Sequence, residues 1–458
     1  MIENDAFKLL LINLFHLNPD DIANIFCTTF NKMMVLIVTL ADKHQACPYC
    51  GFTAPKIKEY VTKEITHSAL TTQKCIIKYR ARRYKCPCCG KTYYEFNPFV
   101  FKSQKISILT VHNILKDLKD FNETFTSVAR RYHVSPTSVS TIFDNHVDIG
   151  RNPLPEIINF DEVYAFKSEK SKYVCVLLDF KKQIPVDVLP NRKKEYLLNY
   201  FQKIPLEERK KVKYACSDMY EVYRDVVHKV FPCSCMLLDY FHLSQDFHRK
   251  MNEVRIKVMK GYKDDKASDE YYLLKKFNWL LFKNPEDEDK HGRLFDVERE
   301  RKYNSHFKSY MNYYDLRRKL LEINNNLTIC YSLKLELVDF YSKSTIDNAQ
   351  VNLEHLIRSC IDTNIEEMIA FSNNLINWKQ EIINSFTIVG TEYKVEADKG
   401  QVVVCNKKVN NAIIENRNKI IKCIKNNANG YTNWSRFRNR VMYVLDPNTT
   451  FSLEPREK

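Results

Sequence analysis

Between residues 157 and 241 the apolar positions switch from helical to extended spacing, and this stretch limits the fold more than any other. "IINFDEVYAF" (158–167), "YVCVLLDF" (173–180) and "IPVDVLP" (184–190) are short β-branched and aromatic runs separated by polar turns, so they predict three consecutive hairpin-joined strands. A helix, "KKEYLLNYFQKI" (193–204), a strand, "VKYACSD" (212–218), a second helix, "YEVYRDVVHKVF" (220–231), and a strand, "CMLLDYF" (235–241), follow. This alternation predicts an α/β core.

The first strand carries a residue that a buried sheet does not want. An ionised carboxylate is costly to bury without a partner, so Asp161 needs a surface position, a salt bridge or a metal. If the first and fourth strands lie side by side, Asp161 meets Asp218, and the two carboxylates can share a divalent cation such as Mg²⁺. Glu162 falls on the opposite face by the period of two and reads as a surface or supporting group. The strand and helix order is that of a ribonuclease-H-like core, although the alternation alone supports only α/β.

Upstream, "CPYCG" (47–51) and "CPCCG" (86–90) each present two thiolates from a tight turn. Cys47, Cys50, Cys86 and Cys89 supply the four sulfurs that zinc prefers. The spacing is longer than in common fingers, Cys88 competes for a ligand position, and the alternative is two unrelated turns with buried thiols. Fifteen cysteines without a secretion signal argue for thiols and metal ligands over a disulfide framework.

"IIKYRARRYKC" (76–86) interleaves Lys78, Arg80, Arg82, Arg83 and Lys85 with Tyr79 and Tyr84. That pattern suits phosphate contact and base stacking, or else a solvated edge strand protected by charge. "TFTSVARRYHVSPTSVSTIF" (124–143) predicts two helices, broken at His133–Val134 and restarted by Ser135 as cap and Pro136 in the first turn. The spacing is that of a helix-turn-helix offering Thr137, Ser138 and Thr141 to the major groove, with an ordinary helical hairpin as the alternative. A formal net charge of +15 favours a polyanionic partner.

Near the C-terminus, "KKVNNAIIENRNKIIKCIKNNANGYTNWSRFRNR" (407–440) predicts a helix with Glu415, Lys419 and Lys422 on one face. These residues suit a metal site with an adjacent phosphate, or a charged helix face. "MMVLIVTLA" (33–41) is far too short to span a bilayer, and the first residues lack a signal-peptide pattern, so the expectation is a cytoplasmic protein without a membrane partner.

With these residues together, the chain resembles bacterial insertion-sequence transposases of the ISL-three family, within the DDE superfamily. The resemblance runs over nearly the whole chain: the two cysteine knuckles, the helix pair, "NFDEVYAFK", "CSDMYEVYRD", "LDYFHL" and "NNAIIENRNKIIK" with "NGYTNWSRFRNR". It departs from the common family form at "SDMYEVY" and at "NAIIEN", where glycine often surrounds the glutamate.

The resemblance implies catalytic Asp161, Asp218 and Glu415, holding Mg²⁺ or Mn²⁺. Asp239 and His242 match a supporting D-x-x-H signature, and Lys422 a phosphate-binding lysine; Lys419, Arg80, Arg82, Arg83, Thr137, Ser138 and Thr141 are the DNA-contact candidates. The implied activity is metal-dependent cleavage and strand transfer at terminal inverted repeats, acting on double-stranded DNA as a homodimer. A DNA-binding regulator that has lost catalysis and a nuclease without transfer are the alternatives.

The expected divisions are a zinc-binding domain at 1–100, the helix-turn-helix at 101–150, the first part of the ribonuclease-H-like core at 151–242, an all-α insertion at 243–400, core completion at 401–445 and a tail at 446–458.

Overall fold

The structure is a computed structural model and describes residues 2–43, 45–68, 70, 72–101, 104–166, 171–395 and 402–456. The first unit contains helix α1 (Ile2–Leu14) and strands β1 (Ile22–Phe30), β2 (Met33–Leu40), β3 (Lys56–Thr66), β4 (Cys75–Lys85) and β5 (Thr92–Tyr94). Asn31 and Lys32 turn the β1–β2 hairpin with positive φ, the geometry that matches the twist of the flanking strands. The sheet order is β1-β2-β4-β3, with β5 also on β4.

The basic strand is therefore interior. β4 runs parallel to β2 and antiparallel to β3, which removes the solvated-edge reading. Ile77, Tyr79 and Ala81 point into a core shared with Leu11 and Ile12 of α1 and with Phe15 just beyond it, while Arg80 stays exposed.

Three helices follow, α2 (Ile108–Asp117), α3 (Phe125–Arg131) and α4 (Pro136–His146). Thr124 and Ser127 form a capping box on α3, and the Ser135 hydroxyl accepts the Ser138 amide at the start of α4. His133, with φ of 54°, makes the turn between them. α4 extends one turn's fraction beyond Phe143, to His146.

The central sheet has strands β6 (Ile157–Val163), β7 (Val174–Asp179), β8 (Pro185–Leu189), β9 (Tyr214–Ser217) and β10 (Cys235–Leu238). Helices α5 (Lys194–Gln202), α6 (Leu206–Arg209) and α7 (Glu221–Val230) connect the later strands. The order is β10-β9-β6-β7-β8; β7 is antiparallel to β6 and β8, whereas β6, β9 and β10 are parallel. The expected last strand stops at Leu238, because Asp239 already caps the next helix.

Segment 243–400 was expected to be all helical and is not. α8 (Tyr240–Lys260) and α9 (Asp269–Lys276) precede two ribbons, β11 (Glu288–Asp289) with β12 (Gly292–Arg293) and β13 (Lys302–Asn304) with β14 (Ser309–Met311). The stretch between 284 and 312 is polar and turn-rich, with Gly292 at φ of 93°, so it lacks the apolar face a helix would bury. α10 (Tyr313–Glu322), α11 (Asn325–Lys343), α12 (Ala349–Asp362), α13 (Glu366–Asn377) and α14 (Lys379–Asn384) then complete one core from Leu238 to Phe386. A hairpin, β15 (Ile388–Val395) with β16 (Val402–Lys408), returns the chain to the central sheet.

The C-terminal run forms two helices, α15 (Ala412–Asn427) and α16 (Trp434–Leu445), separated where Asn429 and Gly430 take positive φ. They cover one face of the sheet: Ile414, Ile421, Phe437 and Val441 pack with Val163, Val176 and Val188, and the same core includes Val111, Val128 and Phe143 of α2–α4. α5 and α7 cover the other face through Phe160, Phe201, Tyr223 and Val227. Both faces are buried, which is why the strands read as continuous apolar runs.

Candidate active site and metal centres

Pairing of β6 with β9 ends at Asn159 opposite Cys216, and pairing of β9 with β10 ends at Ser217 opposite Leu238. Continued past those residues, the register sets Asp161, Asp218 and Asp239 abreast at the C-terminal end of three adjacent parallel strands. Crevices beyond carboxyl strand ends are where open α/β sheets bind ligands.

Helix N-termini close the row from two sides. Asp239 is the cap of α8, which places His242 in its first turn. Asn411 caps α15 and is fastened to β6: Asn159 Nδ2 donates to Asn411 Oδ1 at 2.7 Å and to Asn410 O at 2.8 Å. That anchor brings Glu415, in the first turn of α15, beside His242 and Asp239. Backbone amides of Phe241 and Asn411 donate to the Asp239 carboxylate.

His242 Nε2 stands 3.7 Å from Asp239 Oδ2 and 3.9 Å from Glu415 Oε1, too far for hydrogen bonds. One ligand atom from each of these residues lies within 4.8 Å of the others. Among the described residues, the close carboxylate–imidazole set is thus Asp239, His242 and Glu415, with Asp161 and Asp218 adjoining it.

Asp161 is only 8% exposed. Its Oδ1 accepts the Glu162 amide and its Oδ2 accepts Asn418 Nδ2, each at 2.7 Å. Asn418, one turn beyond Glu415, is a site residue that the spacing of charged residues did not reveal; its signal was a polar residue on the apolar face of α15 beside Ile414 and Ile421. Glu162 lies on the opposite face, as the strand period requires, and pairs with Arg192, which is stacked over Tyr173 and Tyr220 at 4.7 Å from each ring centre.

Burial lifts the Asp161 carboxyl to about 7, reinforced by the neighbouring Asp218. Burial and then Glu162 lift Asp218 to about 6, and burial raises Asp239 as well. Asp218 Oδ1 is buried without a hydrogen-bond partner. Crowded, desolvated carboxylates that bind protons this readily, with an orphaned oxygen among them, fit a divalent cation.

The second centre holds Cys47, Cys50, Cys86 and Cys89, whose sulfurs lie within 4.8 Å of one another. Cys47 to Cys89 is 3.7 Å and Cys50 to Cys86 is 3.5 Å. Sulfurs at zinc-bond length around a tetrahedral ion are about 3.8 Å apart. The two knuckles match: Gly51 N donates to Cys47 O and Gly90 N to Cys86 O, both at 2.9 Å, with both glycines at positive φ. Amides of Cys89 and Cys88 lower the Cys86 thiol to about 7. Cys88 is exposed and outside the set.

The basic residues divide. Arg82 pairs with Glu95 at 2.7 Å and donates to Leu40 O and Ala41 O, so its guanidinium is tied inside the first unit; an interior strand turns such a side chain onto its neighbours. Arg83 pairs with Glu59 at 2.6 Å, whereas Arg80 is exposed over the Tyr60 ring. Thr137 and Thr141 are exposed on α4, and the Ser138 hydroxyl meets Ser135 Oγ at 2.8 Å in the cap. Lys419 and Lys422 are exposed on α15, with Lys419 Nζ 3.2 Å from Asn416 Oδ1.

No helix among the described residues is long and apolar enough to cross a membrane. The chain is 20% identical over 409 residues to the transposase for insertion sequence element IS1001 of Bordetella parapertussis, an alignment covering 89% of this chain and 90% of that protein. A family model described as transposase, that of the ISL-three DDE group, matches residues 158–402, more than half of the chain and including Asp161, Asp218 and Asp239. The chain belongs to the ISL-three family of insertion-sequence transposases.

Proposed function

We propose that this protein is a DDE transposase that binds the terminal inverted repeats of its insertion sequence, cuts them in a metal-dependent reaction and joins the freed ends to target DNA. The row of Asp161, Asp218 and Asp239, closed by Glu415 and His242, carries this reading. The strand order, with the parallel strands β10, β9 and β6 followed by β7 antiparallel between β6 and β8, supports a ribonuclease-H-like core.

Asp161, Asp218 and Glu415, with Asp239 and His242 beside them, would hold Mg²⁺ or Mn²⁺. Bound there, divalent ions supply charge stabilisation for in-line displacement at phosphorus and acidify the attacking water. Asn418 orients Asp161, and the amides of Phe241 and Asn411 orient Asp239. The first reaction adds water oxygen to the scissile phosphorus as the bond to the 3′-oxygen breaks. In the second, that 3′-hydroxyl attacks a target phosphodiester and displaces the target's own 3′-oxygen, so no covalent protein intermediate is required.

In this reading the four cysteines hold a structural zinc, and α3–α4 act as a helix-turn-helix with Thr137 and Thr141 towards the major groove. Arg80, Lys419 and Lys422 face phosphates, and two protomers hold the two ends. The test is Mg²⁺-dependent cleavage and joining of labelled DNA carrying the inverted repeats that flank the gene. Cutting and joining by wild type but not by Asp161→Ala supports the proposal. Equal activity of both proteins, or binding without cutting by either, overturns it.

A further inference from the structure

Asp239, the cap of α8, and His242, Asp246 and Arg249 on the helix recur at intervals of three or four, so they form one stripe running away from the acid row. The stripe walls a cleft of about 350 Å³ lined by Asp218, Met219, His242, Gln245, Asp246 and Arg249. One end of the cleft is a candidate metal-binding acid with an unpartnered oxygen; the other is a cation.

The support beneath that cation is unusual for a surface arginine. Asp246 is 5% exposed, and its Oδ2 accepts Asn374 Nδ2, from α13 of the insertion, at 2.7 Å. Its Oδ1 accepts the Arg249 guanidinium, whose side chain remains 67% exposed. A buried acid held from a different helix fixes the arginine's direction, and a guanidinium with five N–H donors keeps some of them for a ligand. Arg192, whose charge also acts on Asp218, is already paired with Glu162 and lies over the rings of Tyr173 and Tyr220.

Seven residues of α-helix separate His242 from Arg249, about 10 Å. That equals about three nucleotide steps along one strand of B-DNA. We infer that Arg249 binds a DNA backbone phosphate about three nucleotides from the bond to be cut, with Asp246 and Asn374 as positioning residues. The inference rests on the DNA-end reading above and adds a place where the substrate strand is gripped.

The test is binding of the full-length protein, in EDTA, to labelled inverted-repeat duplexes with a single methylphosphonate at each of the first six phosphates on either side of the cleavage site. For wild type, one position two to four nucleotides from the cut should weaken binding about tenfold. Arg249→Ala should bind unmodified DNA about tenfold more weakly, lose sensitivity at that position alone, and lower the salt dependence by about one phosphate contact. Asn374→Ala should show the same pattern more weakly, and Arg249→Lys should restore part of it. Sensitivity in Arg249→Ala that matches wild type at every position overturns the inference and leaves the catalytic reading standing. Failure of wild type to bind these duplexes overturns both.

Discussion

Asn418 donates its side-chain amide to Asp161 Oδ2 at 2.7 Å, one helical turn beyond Glu415 on α15. A single helix therefore delivers one carboxylate to the site and orients another from the sheet. Asn418→Ala leaves a buried carboxylate oxygen without its donor, at a cost of about 1–3 kcal/mol. The expected result is a lower denaturation midpoint together with cleavage that needs more Mg²⁺ for half-maximal rate. Unchanged Mg²⁺ dependence would show that Asp161 is positioned by its strand alone.

Asp218→Asn keeps size and removes the negative charge from the carboxylate with the orphaned oxygen. Cleavage should fall by more than a hundredfold, about 3 kcal/mol in barrier, with binding of end DNA nearly unchanged. Retained cutting would take Asp218 out of the mechanism.

The four sulfurs predict a zinc stoichiometry of one per chain by atomic emission, lost in Cys86→Ser. The knuckles clamp the ends of β3, β4 and β5, so the variant should also open this sheet to proteolysis while the central sheet stays protected. Cys88→Ser should retain both metal and protection.

His67 is buried between Ser107 Oγ and Phe15 O, each 2.9 Å away, and burial lowers it to about 4. Its folded value lies below its unfolded value of about 6.5, so the unfolded chain binds the extra proton between these limits. Stability should be fully present above about pH 6.5 and fall as the pH drops towards 4, with about 2 kcal/mol lost between pH 7 and 5. His67→Gln should flatten this part of the profile in denaturant titrations.

Arg82 and Arg80 should separate cleanly. Arg82→Ala leaves Glu95 buried beside an empty place and should destabilise the first unit by about 3 kcal/mol. Arg80→Ala should leave stability unchanged and weaken DNA binding, with a smaller salt slope. Equal stability of the two variants would return Arg82 to the surface.

The sequence by itself determined the order of strands and helices between 157 and 241, the cysteine knuckles, the cap at Ser135, and the presence of Asp161 in an apolar strand run. Those features are encoded locally: the period of side chains, the residues that cap a helix, and a carboxylate standing in an apolar run announce themselves within a few positions. What each charge does was decided only by tertiary structure. Strand pairing over more than fifty residues puts Asp218 beside Asp161, and the return of the chain after the insertion brings Asn418 to the same carboxylate. Arg82 and Arg80 stand two apart in one strand, yet Glu95, just past the end of β5, engages the first and leaves the second to solvent. Asp246 and Asn374 are far apart in the chain and meet only because α13 packs on α8. Periodicity tells which face a side chain occupies; the partner it finds there depends on which distant element is folded against that face.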